Sequence, residues 1–345
     1  MNDTVKRLNV GVDVSEKNLA VAYWDQDENE PVFVGTLTNN LKGFQVIQGK
    51  IEERSKNIDA TVIHLVMEPS GGYEQPFAHF VHQAGWRVSL PNPLHPKRWA
   101  ESKGKRVKTD PQDARNLAHF GFANDPLPWK PLPPEVEQLS HLLDRLNNLK
   151  KMLSQEKNRV HSAKYHVNAY EAVYEDMREV IAFLEQRIQQ IQKTIKEHLE
   201  AHPHLKKQRK LLLTVSGVGD KNVLYILVMM HRWGVLTDGE GDVKGLVAYL
   251  GLDPKHHESG TSVRKRSGIS RQGSREMRTR LYMSALGGIK AKNSPLVDFY
   301  QRLVVGRGKP KKLALVAASR KILVWSWAVF RSEKPFDTAR LGYNQ

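Results

Sequence analysis

Apolar and polar residues alternate from Leu8 to Val14, with Leu8, Val10, Val12 and Val14 on one face and Asn9, Gly11 and Asp13 on the other. This period of two predicts a strand that carries a carboxylate near its end. Asn18–Trp24 and Val32–Leu37 predict two more strands, with a turn between them at Asp25-Gln26-Asp27-Glu28-Asn29. Helical spacing follows over Leu41–Ile58. An apolar strand over Thr61–Met67 then ends on Glu68, just before Pro69-Ser70-Gly71-Gly72. A helix around Glu74–Ala84 and a short strand, Trp86–Leu90, lead through Pro91-Asn92-Pro93 to a helix that starts within Arg106–Arg115. That last stretch puts Asp110 and Asp113 three residues apart, on one helix face, where they can hold one metal ion together. A plainer role also fits. Asp before Pro is a good helix N-cap, and Asp113 then favours the positive end of the helix dipole.

Three strands, helix, strand, helix, strand, helix is an order that resembles the ribonuclease H fold, of which the RuvC-type resolvases are a branch. The resemblance implies that the first and fourth strands lie side by side and that a late helix packs next to them. Asp13, Glu68, Asp110 and Asp113 sit on those three elements. Four carboxylates at one place repel unless divalent cations neutralise them, and hard oxygen ligands suit Mg²⁺ or Mn²⁺. Two such ions about 4 Å apart stabilise both the attacking and the leaving oxygen of a phosphoryl transfer. For Asp13 or Glu68 alone, a strand-end carboxylate satisfied by a turn is the better explanation; the set of four on these elements is much more specific.

A proline-rich linker spans Asp125–Pro134. Apolar residues then recur in steps of three and four at Leu139, Leu143, Leu146, Leu149 and Leu153. They resume at Val173, Met177, Val180, Leu184, Ile188, Ile191, Ile195 and Leu199. Two long amphipathic helices are predicted, as a coiled-coil hairpin or a dimerising coil. Leu211–Leu227 resembles a helix-hairpin-helix, in which Gly217 and Gly219 permit a tight turn and the next helix offers amides to a phosphate. Farther on, Glu258-Ser259-Gly260-Thr261-Ser262-Val263-Arg264 and Ser270-Arg271-Gln272-Gly273-Ser274 precede a helix with a cationic side. Hydroxyls among arginines suit phosphate contacts. Lys309, Lys311 and Lys312 follow Gly306 and Gly308 as a phosphate grip, without the Gly-Lys-Ser/Thr spacing of a nucleotide P-loop.

Charge and composition narrow the partner. The 345 residues suffice for two or three domains, and the net charge of +16 favours a polyanion. Between Lys255 and Lys334, 19 Lys and Arg face four acids, so nucleic acid is the best single explanation. The absence of cysteine excludes disulfides, zinc-thiolate sites and thiol catalysis. The polar amino terminus has no signal-peptide core, and Leu313–Phe330 is broken by Ser319, Arg320 and Lys321. A soluble cytoplasmic protein is expected, nucleoid-associated in a bacterial or archaeal cell.

The combination resembles the DEDD transposases of insertion sequences, the "IS one-ten" family, which includes pilin-gene invertases. The matching residues are Gly11-Val12-Asp13, Glu68-Pro69-Ser70-Gly71-Gly72-Tyr73, Lys108-Thr109-Asp110-Pro111-Gln112-Asp113-Ala114, the Gly217-Val218-Gly219 hairpin and Glu258–Arg264. The resemblance implies an α/β plus α architecture. A RuvC-like catalytic domain would span 1–133, coiled-coil helices 134–202, and a basic, mainly helical transposase domain 203–345. It makes Asp13, Glu68, Asp110 and Asp113 the Mg²⁺-binding tetrad and Ser259 the nucleophile, with Ser262 and Ser270 as neighbouring hydroxyls. Lys103, Lys105, Arg106, Lys108, Gly217, Gly219, Arg264, Lys265, Arg266, Arg271, Arg275, Arg278, Lys309, Lys311 and Lys312 become nucleic-acid contacts. It further implies donor and target DNA, a structured "bridge" RNA, and a homo-oligomer. A metal-dependent structure-specific nuclease or site-specific invertase is the alternative, followed by a non-catalytic nucleic-acid scaffold.

Overall fold

The computed structural model describes residues 6–25, 28–104, 109–165, 170–254, 268–291 and 294–337, and the backbone at 258–259 and 263–264. The chain forms two compact units, Met1–Pro131 and Leu132–Gln345. The architecture is α/β in the first unit and mainly helical in the second.

In the first unit, β1 (Arg7–Val14), β2 (Asn18–Trp24), β3 (Val32–Thr38), β4 (Val62–Met67) and β5 (Arg87–Ser89) form one sheet in the order β3-β2-β1-β4-β5. β1 runs antiparallel to β2 and parallel to β4, in a register that pairs Val10 with Leu65 and Val12 with Met67. The predicted neighbours, first and fourth strand, are therefore hydrogen-bonded. The helices are α1 (Leu41–Asn57), α2 (Gln75–Gln83), α3 (Leu94–Ser102) and α4 (Asp110–Asn124). Leu8, Val10 and Val12 are fully buried in one cluster with Phe44, Ile47 and Ile51 of α1 and Phe77 and Val81 of α2. The opposite face of the sheet is also covered, by α4, through Ala20, Ala22, Ala114, Val66, Leu117 and Phe120. That face is built of small residues, so it reads as polar or neutral in the sequence although it is buried.

Three local readings change. Helix α3 was not predicted; Asn92 Oδ1 accepts the Leu94 amide at 3.0 Å and starts it directly after the prolines. Asp25 is no solvated turn residue. It is fully buried, and Arg54 Nε and Nη2 donate to its Oδ2 at 3.1 and 2.8 Å while Nη2 also reaches Glu28. The start of the proline-rich stretch is not a free linker either. The Trp129 amide donates to the Val88 carbonyl at 2.6 Å, and the Pro126 carbonyl accepts from Ser89 Oγ at 3.0 Å.

The second unit begins with α5 (Pro134–Ala163) and α6 (Glu171–Ala201). They pack antiparallel: Tyr174 Oη donates to the Ala163 carbonyl at one end, and His198 Nε2 meets the Glu135 carbonyl at the other. Helices α7 (Pro203–Leu213), α8 (Asp220–Leu236), α9 (Val243–Tyr249), α10 (Arg275–Gly288), α11 (Pro295–Gln301) and α12 (Lys311–Ser332) complete the unit, with a two-stranded ribbon of β6 (Glu258–Ser259) and β7 (Val263–Arg264). Leu143, Leu146 and Leu149 of α5 and Ile188, Ile195 and Leu199 of α6 join its core. Val173 and Val180, expected in a helix–helix seam, are instead exposed. Among the described residues, α12 is the one helix long and apolar enough to cross a membrane, and more than half of it is inside the unit. Its Ala318, Ile322 and Leu323 are fully buried.

Two histidines, fully buried His64 and half-buried His231, make stability pH-dependent. His64 Nε2 lies 2.9 Å from Ser89 Oγ, whose proton goes to the Pro126 carbonyl, so Nε2 is the protonated nitrogen. Burial, with Arg87 and Arg7 nearby, lowers the His64 pKa from 6.5 to about 3. Burial, with His204 nearby, lowers that of His231 from 6.5 to about 4. The unfolded chain binds these protons more readily, so stability is fully present above pH 6.5 and is lost as pH falls toward those values. Denaturant unfolding between pH 7.5 and 4.5 is expected to show that decline, and His64→Gln to flatten it for the first unit. An unchanged slope in the variant would exclude His64 as a source.

Candidate active site

The first unit gathers its acidic residues at one end of the sheet through a close helix–strand contact. A Cβ on Gly11 would collide with the Ala114 carbonyl oxygen and the Ala118 amide, so α4 rests on the bare backbone of β1. Toward the other end of α4, a Cβ on Gly121 would stand 2.7 Å from Val66 Cγ2 and 3.7 Å from Asn9 Oδ1. The helix thus runs against β1, with Gly121 level with Asn9 and Ala114–Ala118 level with Gly11. Two strand residues advance about 6.6 Å, or roughly 4.5 helical residues. The next step brings Asp13 level with the first turn of α4, which carries Asp110 and Asp113. Glu68 follows Met67, the partner of Val12 in the parallel register, and so it emerges beside Asp13.

The predicted tetrad is therefore brought to one end of the sheet by its elements. Asp110 is exposed, and Asp13, Glu68 and Asp113 are half-buried. Thr109, not Asp110, occupies the N-cap of α4, and no side chain caps that end. The cap explanation for Asp110 fails, while both acids remain in the first turn, where the dipole favours them. Among the described residues, no three acidic or histidine side chains stand together as a metal-holding group in their present rotamers.

The far end of α4 is fastened by charge. Asp125, left-handed at φ 42°, accepts from Arg7 at 2.6 Å and forms an ion pair with Arg87 at 2.8 Å. Near the acids, the Glu68–Glu74 loop is organised by a carboxylate that the sequence pattern did not single out. Glu74 is almost fully buried, and its Oε2 accepts the amides of Ser70 at 2.9 Å and Gly72 at 3.0 Å. Burial works to raise its pKa, yet those amides and the Gln75 side chain hold it below its usual value. Gly71 and Gly72, at φ 72° and 107°, let both amides turn inward.

In the second unit Ser259, the expected nucleophile, is the last residue of β6, and its backbone pairs with Val263 of β7. Ser262, Lys265 and Arg266 lie outside the described residues, as do Lys105, Arg106 and Lys108; Arg264 is described by its backbone alone. The Ser270 hydroxyl donates to the Asp253 carboxylate, which engages it in a turn. Lys103 is exposed at the end of α3. Arg271 and Arg275 are exposed beside α10, and Lys309, Lys311 and Lys312 are exposed at the start of α12. Arg278 is engaged internally instead, its Nη1 donating to the carbonyls of Leu250, Gln272 and Gly273 at 2.9–3.0 Å. The two hairpin glycines also differ. Gly217 has φ 90° and lies against Gly288, whose added Cβ would come 2.8 Å from Gly217 Cα. Gly219 caps α8, and nothing stands within 4 Å of an added Cβ there.

With this geometry in view, likeness to known proteins is decisive. Residues 10–163 match the transposase model for the DEDD domain of IS110 elements, and residues 209–301 match the model described as transposase IS116/IS110/IS902 family. The chain is 32% identical over 304 residues to the pilin gene-inverting protein of Moraxella lacunata, covering 88% of this chain and 90% of that protein. The protein of the same name from Moraxella bovis matches with the same identity and coverage. The chain belongs to the IS110 family of transposases. Of the residues singled out in the sequence, the four acids fall in the first matched region, and Ser259 and the Gly217-Val218-Gly219 turn fall in the second. An IS110 transposase is a recombinase, a DNA-processing enzyme, which accounts for the basic composition of this chain.

Because α4 sits on Gly11, Gly11→Ala is expected to push the helix off β1 and to destabilise the first unit by about 1–3 kcal/mol. Thermal unfolding measures this; a stability equal to wild type would show that α4 does not need the bare backbone.

Proposed function

We propose that the first unit is a RuvC-like, ribonuclease H-type catalytic domain whose acids work with Ser259 in a covalent strand exchange on DNA. The observation that carries this is the arrival of Asp13, Glu68, Asp110 and Asp113 at one end of the sheet, supported by the order β3-β2-β1-β4-β5. Their all-oxygen donor chemistry fits Mg²⁺ or Mn²⁺. Holding such an ion requires the four side chains to turn toward one another, which like charges do only when a cation neutralises them. When bound, the metal would supply charge neutralisation at the scissile phosphate.

Ser259 Oγ attacks phosphorus, forming an Oγ–P bond as the bond to one deoxyribose oxygen breaks. That oxygen leaves as a hydroxyl with the serine's proton, and a hydroxyl from another strand later reverses the step. The phosphodiester energy is conserved, so no nucleotide is hydrolysed. The chemistry requires Ser259 and the acids to meet at one phosphate, within one chain or between two. Gene inversion, the activity for which the Moraxella relatives are named, is a rearrangement that this exchange would perform. Lys311 and Lys312 stand at the positive end of α12, an unfavourable place for cations that a DNA or RNA phosphate would relieve. Gly219, with open space before the amides of α8, suits the helix-hairpin-helix role of backbone contact. A structured bridge RNA as guide follows from the family resemblance, and a discrete noncoding RNA copurifying with the protein would support it.

Ser259→Ala is expected to abolish denaturation-resistant protein–DNA adducts, and Asp110→Asn to slow cleavage roughly a hundredfold or more. Adducts at wild-type level in Ser259→Ala would remove Ser259 as nucleophile. Cutting without any adduct in wild type would mark a metal-dependent nuclease.

Self-association fits the helical hairpin. Val173, Val180 and Phe183 of α6 and Met152 of α5 are exposed, and a second copy would cover them. Val180→Asp combined with Phe183→Asp is expected to lower the oligomeric state in sedimentation; an unchanged mass would place the contact elsewhere.

A further inference from the structure

We infer that Asn39 is a positioning residue that holds the Asp13 and Glu68 connections at a fixed separation, an inference that rests on the metal reading of the tetrad. The β1–β4 ladder ends at Val12 and Met67, so no ladder bond joins the two strands beyond that point. After Asp13 the chain turns tightly at Ser15, whose amide and hydroxyl both donate to the Asn18 carbonyl, and enters β2. After Glu68 it passes through the loop that Glu74 organises and enters α2. The two connections carry the acids in different directions.

Asn39 bridges them. Its Nδ2 donates to the Ser15 carbonyl at 2.9 Å and to the Tyr73 carbonyl at 3.1 Å, one bond to each connection. Its own backbone is anchored, since its amide donates to the Lys17 carbonyl at 2.8 Å and the next residue, Asn40, caps α1 through Gly43. The orientation of the side-chain amide is determined chemically, because a flip would face Oδ1 toward two carbonyl oxygens. Asn39 Oδ1 is buried and, among the described residues, has no hydrogen-bond partner. A buried acceptor left unsatisfied is costly. Both side-chain donors of Asn39 are committed to the bridge. Such a brace acts through the loops: Asn39 touches neither acid in any bond described, but it limits how far the two loops can separate when four carboxylates repel.

The test is Mn²⁺ binding to the full chain by calorimetry, with thermal unfolding alongside. Asn39→Ala removes both donors and is expected to weaken Mn²⁺ binding roughly tenfold or more, in the range seen when groups that orient metal ligands are lost. Arg7→Gln serves as the comparison, because Arg7 braces the opposite end of β1 through Asp125. It is expected to lower the melting temperature while leaving Mn²⁺ affinity unchanged. Should Asn39→Ala fail to fold, Asn39→Ser, too short to reach both carbonyls, is expected to weaken binding in the same direction. Wild-type uptake of Mn²⁺ with unchanged affinity in the folded Asn39 variant would overturn the role of Asn39 and leave the tetrad standing. A wild-type protein that takes up no Mn²⁺ would overturn the tetrad reading and the Asn39 role together. Equal loss of affinity in Arg7→Gln would reduce Asn39 to a contributor to general stability.

Discussion

Helix α4 lies against the backbone of β1, and much of the first unit depends on that contact. Gly11 provides no side chain, while Ala20, Ala22, Ala114 and Ala118 keep the surrounding surface shallow. With larger residues the helix would ride higher, and Asp110 and Asp113 would leave the level of Asp13. The same contact explains a fully buried Asn9 whose side-chain atoms have no hydrogen-bond partner among the described residues. Asn9 faces Gly121 across that seam.

Charge is distributed along that helix in a consistent way. Its first turn carries two acids at the positive end of the dipole, and its left-handed end residue, Asp125, draws in Arg7 and Arg87. Cations thus gather at the strand starts and carboxylates at the strand ends. Buried Glu74 belongs to the carboxylate end but is satisfied by amides, so it stays ionised without demanding a cation. Asp13, Glu68, Asp110 and Asp113 lie at that same end, on β1, after β4 and in the first turn of α4. The second unit uses a comparable device at Gly217 and Gly288, where two backbones touch and the turn before α8 is pressed onto α10. Asn222 Nδ2 reinforces the contact by donating to Ser284 Oγ at 2.9 Å.

The order of elements, the strand-end position of the acids and the amphipathic hairpin were legible in the sequence because each has a short period or a local motif. The alternation of Leu8–Val14 and the three-residue spacing of Asp110 and Asp113 are written over a few residues, and family likeness extends them. The basic excess after Lys255 was equally plain, and it identified a polyanion without saying which side chains reach it. Arg278 shows the limit: among the other arginines it reads as a phosphate contact, but its guanidinium holds the carbonyls of Leu250, at the end of α9, and of Gln272 and Gly273, just before its own helix.

Tertiary structure alone decided what depends on residues far apart in the chain. No pattern near Asn39 announces that it bridges Ser15 and Tyr73, because the bond joins loops brought together only when β1 pairs with β4. Asp25 looked like a turn residue until Arg54 arrived from α1 to neutralise it. Val173 and Val180 carry the right helical period, yet only the partner surface on α5 determines whether a period is buried. Sequence determines which faces are apolar and where charges are offered. Packing determines which of those faces and charges find a partner, because burial and hydrogen bonding are properties of pairs.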